Sequence, residues 1–323
     1  MAPPDRTGTA ARTGSWPPTV ALATLVAAVA LLVYLNTVPN GFVIDDQYQV
    51  VENPWLAGPE HLGEIFGSSV WEFEGRPSNY YRPAMYVLYL GVATVAGREA
   101  WAFHLANVLL HAVASVLVFL IARRLFARDA LRSAWAPVAA ALLFAVHPVH
   151  TEAVAWVAAV VDLGVAVFGL GALLAYDTGR SRGARWFVLS AALLLVALLF
   201  KETAVALVPV MLAWEWFVVD PRTRSVRSLL PGALAVGAAS VAYLVLRRAA
   251  LGALIPISSE GGLAAGEHVL ASVAIVARYL AKLVFPIGLN VWHVFTPPGS
   301  WATGAAIANV GVVAAAVAAG WWA

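Results

Sequence analysis

Cysteine is missing altogether, and charge is scarce: only 12% of the 323 residues are Asp, Glu, Lys or Arg, against about 25% in soluble domains. Without thiols there is no disulfide framework, no thiolate metal site and no cysteine nucleophile. No stretch of the chain has the composition of a soluble domain, and no internal repeat is visible. In place of charge the chain carries 61% hydrophobic residues and a mean hydropathy of +0.80. These values identify an integral membrane protein, and its 13 tryptophans suit a chain with many interfacial anchors.

A helix needs about 20 apolar residues to cross a bilayer. By that measure candidate spans fall near 18–38, 100–122, 134–147, 153–176, 185–200, 203–219, 229–247, 267–285 and 302–323. The expected fold is therefore an all-α polytopic bundle of about eight or nine spans. Arg6 and Arg12 precede the run Val20–Leu35, but no small-residue cleavage site follows, so an uncleaved first span is expected. The stretch PAMYVLYLGVATVAG (83–97) is too short to span and is read as an interfacial helix. With residues 1–17 as a cytoplasmic tail, this places Arg123, Arg124, Arg128, Arg132, Arg180, Arg182, Arg185, Arg222, Arg224 and Arg227 together on the inner face. That arrangement obeys the positive-inside rule, whereas a spanning 83–97 would invert it. The segment 267–285 either spans or lies flat, and the chain stops inside the apolar run GVVAAAVAAGWWA, as a piece of a longer protein would.

The same topology gathers the remaining polar clusters on the outer face, in and around a first outer loop at 39–99. FVIDDQYQVVENPW (42–55) carries Asp45 and Asp46; close carboxylates raise one another's pKa, which suits one of them to act as a base or hold a cation. SNYYRPAMY (78–86) sets Arg82 beside Tyr81, where a guanidinium either grips a phosphate or anchors the interface. WAFHLANVLLH (101–111) repeats His104, Asn107 and His111 at helical spacing, facing protein or a cavity rather than lipid. HPVHTEAVAW (147–156) holds His147, His150 and Glu152, with Asp162 some three turns further on. Pro148 between the histidines argues against a helical zinc motif, and no metal site is expected. LLFKETAV (198–205) brings Lys201 and Glu202, and Arg247 with Arg248 place cations against the topological bias, so they either meet an anionic ligand or snorkel to headgroups.

The strings FVIDDQYQVVENP, YYRPAMYVLYL, FHLANVLLHAVASVLVF, ALLFAVHPVHTEAVAWVAAVVDL and LLFKETAV, in this order over about residues 35–220, resemble the membrane part of the transmembrane and tetratricopeptide-repeat O-mannosyltransferases. That family belongs to the glycosyltransferase-C superfamily. The resemblance implies one polytopic catalytic domain over 18–323, in a bacterial plasma membrane or an endoplasmic reticulum membrane, with its site on the outer or lumenal side. It implies transfer of mannose or a similar hexose, with inversion, from a polyprenyl- or dolichyl-phosphate donor to a hydroxyl of a protein or glycan. Either Asp45 or Asp46 would be the base; Arg82, Lys201, Arg247 and Arg248 would hold the donor phosphate. Tyr81, His104, His147, His150, Glu152 and Glu202 would line the pocket. The other implied partners are membrane lipids; neither a tightly bound cofactor nor nucleic acid is expected. Two features depart from the family: Val160 and Val161 precede Asp162 where an arginine is common, and no tetratricopeptide repeats follow. The alternative readings are a non-catalytic scaffold that keeps the lipid-phosphate pocket and, less favoured, a transporter.

Overall fold

The structure, a computed structural model, describes residues 18–76, 78–127, 135–254, 265–290, 295–296 and 300–322. The tail 1–17 with Arg6 and Arg12, the inner-loop residues Arg128 and Arg132, and parts of the loop 285–301 lie outside the described residues.

Among the described residues the regular structure is all helical. In chain order the helices are α1 (Thr19–Tyr34), α2 (Leu62–Gly67), α3 (Pro83–Ala96), α4 (Ala100–Phe126), α5 (Trp135–Val146) and α6 (Thr151–Ala155). They continue with α7 (Val160–Arg182), α8 (Ala184–Phe200), α9 (Leu207–Ala213), α10 (Val226–Leu251), α11 (Ala265–Val284) and α12 (Gly304–Trp322). Four helical stretches are long and apolar enough to cross a membrane, Thr19–Thr37, Ala100–Phe126, Val157–Arg182 and Val226–Leu251, and a fifth arises if α5 and the bent segment after it count as one. The protein is thus a multi-pass membrane protein, but the expected eight or nine full spans are not all found among the described residues. Polar breaks account for the difference. His147 and Pro148 end α5 after 12 residues, Lys201 ends α8 after 17, and the segment after it divides into a 3-10 turn, the seven-residue α9 and a π turn. At about 1.5 Å per residue none of these reaches about 30 Å alone. α11 has the length, but Glu267, Arg278 and Lys282 interrupt it.

The bundle is built from one-sided stripes. α1 buries Leu22, Val26, Ala30 and Tyr34, four residues apart, and leaves Leu25, Leu32 and Val33 outward. Ala30 meets Ala112 of α4 and Ala145 of α5, small residues that let three backbones approach closely. α4 turns its polar face inward. Asn107 donates to the carbonyls of Val154 and Trp156, His111 pairs with the Ala145 carbonyl at 2.9 Å, and Ser115 donates to His111. Asn107 and His111 thereby satisfy carbonyls around the break between α5 and α7, while Ser115 bonds back within α4. α8 lies between α7 and α10, with the Phe200 ring against Gly164 of α7.

The first loop is folded rather than extended. Trp55, Phe73 and Tyr86 meet edge to face, and Ile65, Val70, Met85 and Tyr89 fill the same core. The hydroxyls of Tyr81, Tyr86 and Tyr89 donate to the carbonyls of Phe66, Val70 and Val157. Residues 39–82 and α3 thereby form a cap over one end of the bundle. At the opposite, arginine-rich end Arg124 pairs with Asp177 at 2.6 Å and Arg180 with Glu215 at 3.5 Å.

A Cβ built on Gly164 falls inside the van der Waals envelope of the Phe200 ring. Gly164→Ala should therefore destabilise the chain by about 1–3 kcal/mol through overpacking, read as a lower thermal midpoint in detergent.

Candidate functional site

Beyond α1 the chain turns sharply at Ile44, whose φ of 50° lies in the left-handed region. A β-branched residue enters it at a cost of about 1–3 kcal/mol, so something must hold it there. Asp46 does so. Its carboxylate is fully buried; Oδ2 accepts from the Val43 amide at 3.1 Å and Oδ1 from the Ala158 amide at 2.8 Å. Burial pushes the Asp46 carboxyl up, and the two amides and His104 pull against it. His104, also fully buried, pairs through Nε2 with the Gly41 carbonyl at 3.3 Å and braces the same turn.

With Asp46 committed to backbone, Asp45 emerges on the other side of the turn. It is half-buried and makes no hydrogen bond or ion pair among the described residues. Burial raises its pKa, and the charge of Arg76 opposes that rise. Arg76 is exposed, paired with Glu74 and stacked over Trp71 at 5.3 Å. Nothing in its sequence context pointed to a role. Tyr86 feels Asp45 on one side and Arg82 on the other: burial first, then Asp45, raise its phenol, and Arg82 lowers it.

Arg82 is fixed by Pro83, which starts α3 at its first position. Its guanidinium lies over the Tyr80 ring at 4.5 Å and forks onto Glu202, with Nε at 3.3 Å and Nη2 at 3.0 Å from the carboxylate. Arg247, only 7% exposed near the end of α10, donates from Nη2 to the Asn79 carbonyl at 2.9 Å. Its Nη1 is buried beside the Tyr243 hydroxyl, and neither finds another hydrogen-bond partner among the described residues. Glu202 is raised by burial, but the bonds and charge of Arg82, with help from Arg247, hold it below the usual glutamate value. Tyr81 lies beneath, its ring near Tyr243; burial pushes its phenol to about 12.

Lys201 supplies the missing partner of Asp162, with Nζ at 2.7 and 3.0 Å from the two carboxylate oxygens. Because the chain breaks at Trp156 and α7 starts only at Val160, Asp162 lies in the first turn of α7 rather than three turns deep.

The remaining expected residues make other contacts or face outward. His147 accepts the Val149 amide on Nδ1 and therefore donates from Nε2 to the Leu283 carbonyl, 3.1 Å away at the end of α11. His150 packs at tilted and edge-on angles among the rings of Phe144, His111 and His147. Glu152 and Arg248 are exposed. Among the described residues no group of three or more His, Asp or Glu side chains could hold a metal ion. The arrangement at the cap is thus one free carboxylate, a shielded arginine with an unfilled donor, and two ion pairs bordering them. It suits a reaction that needs a base close to a stabilised anion.

The family profile described as dolichyl-phosphate-mannose-protein mannosyltransferase matches residues 82–246. Similar proteins include Protein O-mannosyl-transferase Tmtc2 of Drosophila melanogaster, 38% identical over 64% of this chain and 23% of its own length. Tmtc1 of the same organism is 37% identical over 55% of this chain and 21% of its own length. TMTC3 of Mus musculus is 33% identical over 69% of this chain and 24% of its own length. The chain spans about a quarter of the length of the curated relatives it matches. No solved structure matches it.

Since Glu202 titrates below the usual value of about 4.3, its stabilisation is complete at neutral pH and is lost as pH falls through the lowered value. Glu202→Gln should lower the thermal midpoint near neutral pH and flatten its decline between about pH 5 and 3. Scanning fluorimetry of both proteins across that interval measures it.

Proposed function

The chain belongs to the dolichyl-phosphate-mannose-protein mannosyltransferase family, and on that premise we propose that its capped end transfers mannose from a polyprenyl-phosphate donor to a protein hydroxyl. The observation that carries this reading is the division of labour between adjacent carboxylates: Asp46 is buried on two amides, and Asp45 is left free. In this reading residues 18–323 form the membrane catalytic domain, 1–17 a cytoplasmic tail, and the cap faces the outer or lumenal side.

Asp45 takes the proton of the acceptor hydroxyl as its oxygen attacks the anomeric carbon. The bond from that carbon to the phosphate oxygen breaks on the opposite face, so configuration inverts and lipid phosphate leaves with the electron pair. Negative charge grows on that oxygen, and fixed cations in a site poor in water stabilise it. Arg247 supports this role best, being shielded, charged and possessed of an unfilled Nη1, with Tyr243 beside it. Arg82 stands next to it but is neutralised by Glu202, which leaves its fork half-occupied and its position fixed. Lys201 and Asp162 close the border as a pair.

Asp45→Asn should lower transfer about 10²–10⁴-fold, the usual contribution of a general base, with little change in thermal stability. Asp46→Asn should cost stability as well as rate. In membranes supplied with polyprenyl-phosphate mannose, an Asp45→Asn protein as fast as the parent would overturn the assignment. Turnover by neither, with donor binding intact in both, would favour the scaffold reading instead. The acid limb of the wild-type pH profile should lie above the ordinary aspartate value of about 4, because burial raises Asp45 and only the ionised form accepts a proton.

A further inference from the structure

The arginine-rich end holds a second polar arrangement that the transfer reaction does not use. Glu215, in the π turn after α9, is 6% exposed. Its Oε1 accepts from the Tyr176 hydroxyl at 2.8 Å and faces Arg180 at 3.5 Å, while its Oε2 is buried with no partner. A buried carboxylate oxygen without a donor bears its desolvation penalty uncompensated, so a native structure that keeps one invites a donor from outside.

Glu215 lines a groove of about 760 Å³ between α9 and α10. Val208, Met211, Leu229 and Val236 make its walls apolar, and Arg224 stands at the same opening. Arg224 donates from Nη2 to the carbonyls of Trp216 and Val219 and stacks over the Trp216 ring at 5.5 Å, and its Nε has no partner among the described residues. The outer surfaces beside the groove are apolar: Leu212, Trp216, Leu234 and Val241 are all more than half exposed. Trp216 and Arg224 together mark headgroup depth, where indole rings and guanidinium groups settle. The groove therefore opens sideways to acyl chains, with a carboxylate that keeps one unpartnered oxygen and a guanidinium that keeps one unpartnered N–H at its polar end.

The geometry points to a structural lipid site at this end, occupied by a phospholipid whose headgroup carries a primary ammonium, as in phosphatidylethanolamine. The ammonium donates to Glu215 Oε2, the phosphate meets Arg224, and one acyl chain fills the groove. A quaternary ammonium offers no N–H, so phosphatidylcholine leaves Oε2 unsatisfied; a glycerol headgroup brings no cation to it. This site is distinct from the donor pocket, which is built from residues of the opposite end.

The test uses the full chain in nanodiscs of equimolar phosphatidylethanolamine, phosphatidylcholine and phosphatidylglycerol, released into the gas phase for native mass spectrometry of the retained lipid. The wild type should retain phosphatidylethanolamine about tenfold over each of the others, the scale of one charge-assisted hydrogen bond. Glu215→Gln should bring that ratio close to one. Gly237→Leu fills the groove from α10, where an added Cβ meets nothing within 4 Å, and should abolish retention of all three while raising helix propensity. Equal retention of the three lipids by the wild type, a preference for phosphatidylglycerol, or an unchanged preference in both variants would overturn the proposal. Mannosyl transfer by the two variants in a fixed detergent reads the opposite end, so failure of the lipid site and failure of the transfer reading are told apart.

Discussion

The carboxylate of Asp46 bridges two amides that are 115 residues apart in the chain, Val43 in the turn after α1 and Ala158 at the entry to α7. That bridge fixes the strained backbone at Ile44, and through it the direction in which Asp45 leaves the turn. It also ties the first loop to the break between α6 and α7, whose other carbonyls are held by Asn107. Together with the Tyr89 hydroxyl on the Val157 carbonyl, this clamp gives the free carboxylate, the cap above it and the start of α7 a common frame. A buried carboxylate that accepts two amides is costly to place and costly to remove, which is why one such group can anchor three segments.

The wider architecture follows from the intolerance of hydrocarbon for unpaired polar groups. Ion pairs gather at the two ends of the bundle: Lys201 with Asp162 and Arg82 with Glu202 beneath the cap, Arg124 with Asp177 and Arg180 with Glu215 at the far end. The breaks in the helices coincide with these groups. Lys201 ends α8 where the chain must turn toward Asp162, and His147 ends α5 by capping the next turn with its own ring. The same residues that shorten the helices below membrane thickness are the ones that furnish the polar surfaces.

Much of this was readable in advance. Hydropathy located the apolar stretches, and the arginine bias sorted the loops into two sets that the contacts then join end by end. Proline at 83 marked the start of α3, and the helical spacing of His104, Asn107 and His111 marked an inward face on α4. Helix lengths were less readable, because a window of mean hydropathy is blind to a single proline or lysine that stops the hydrogen-bond ladder. Nor did the cluster HPVHTE disclose its company. Its first histidine reaches α11, a contact across 136 residues that no local pattern encodes.

What the sequence by itself determined is a helical membrane chain with its acids and bases gathered into two groups, since hydrophobicity and charge act through composition and order alone. The tertiary structure alone decided which of two adjacent aspartates is free, which base answers Asp162, and which arginine is shielded beneath the cap. Neighbours such as Asp45 and Asp46 share every local property. Only the position of the Ala158 amide, brought back by the fold, separates an anchoring carboxylate from an available one.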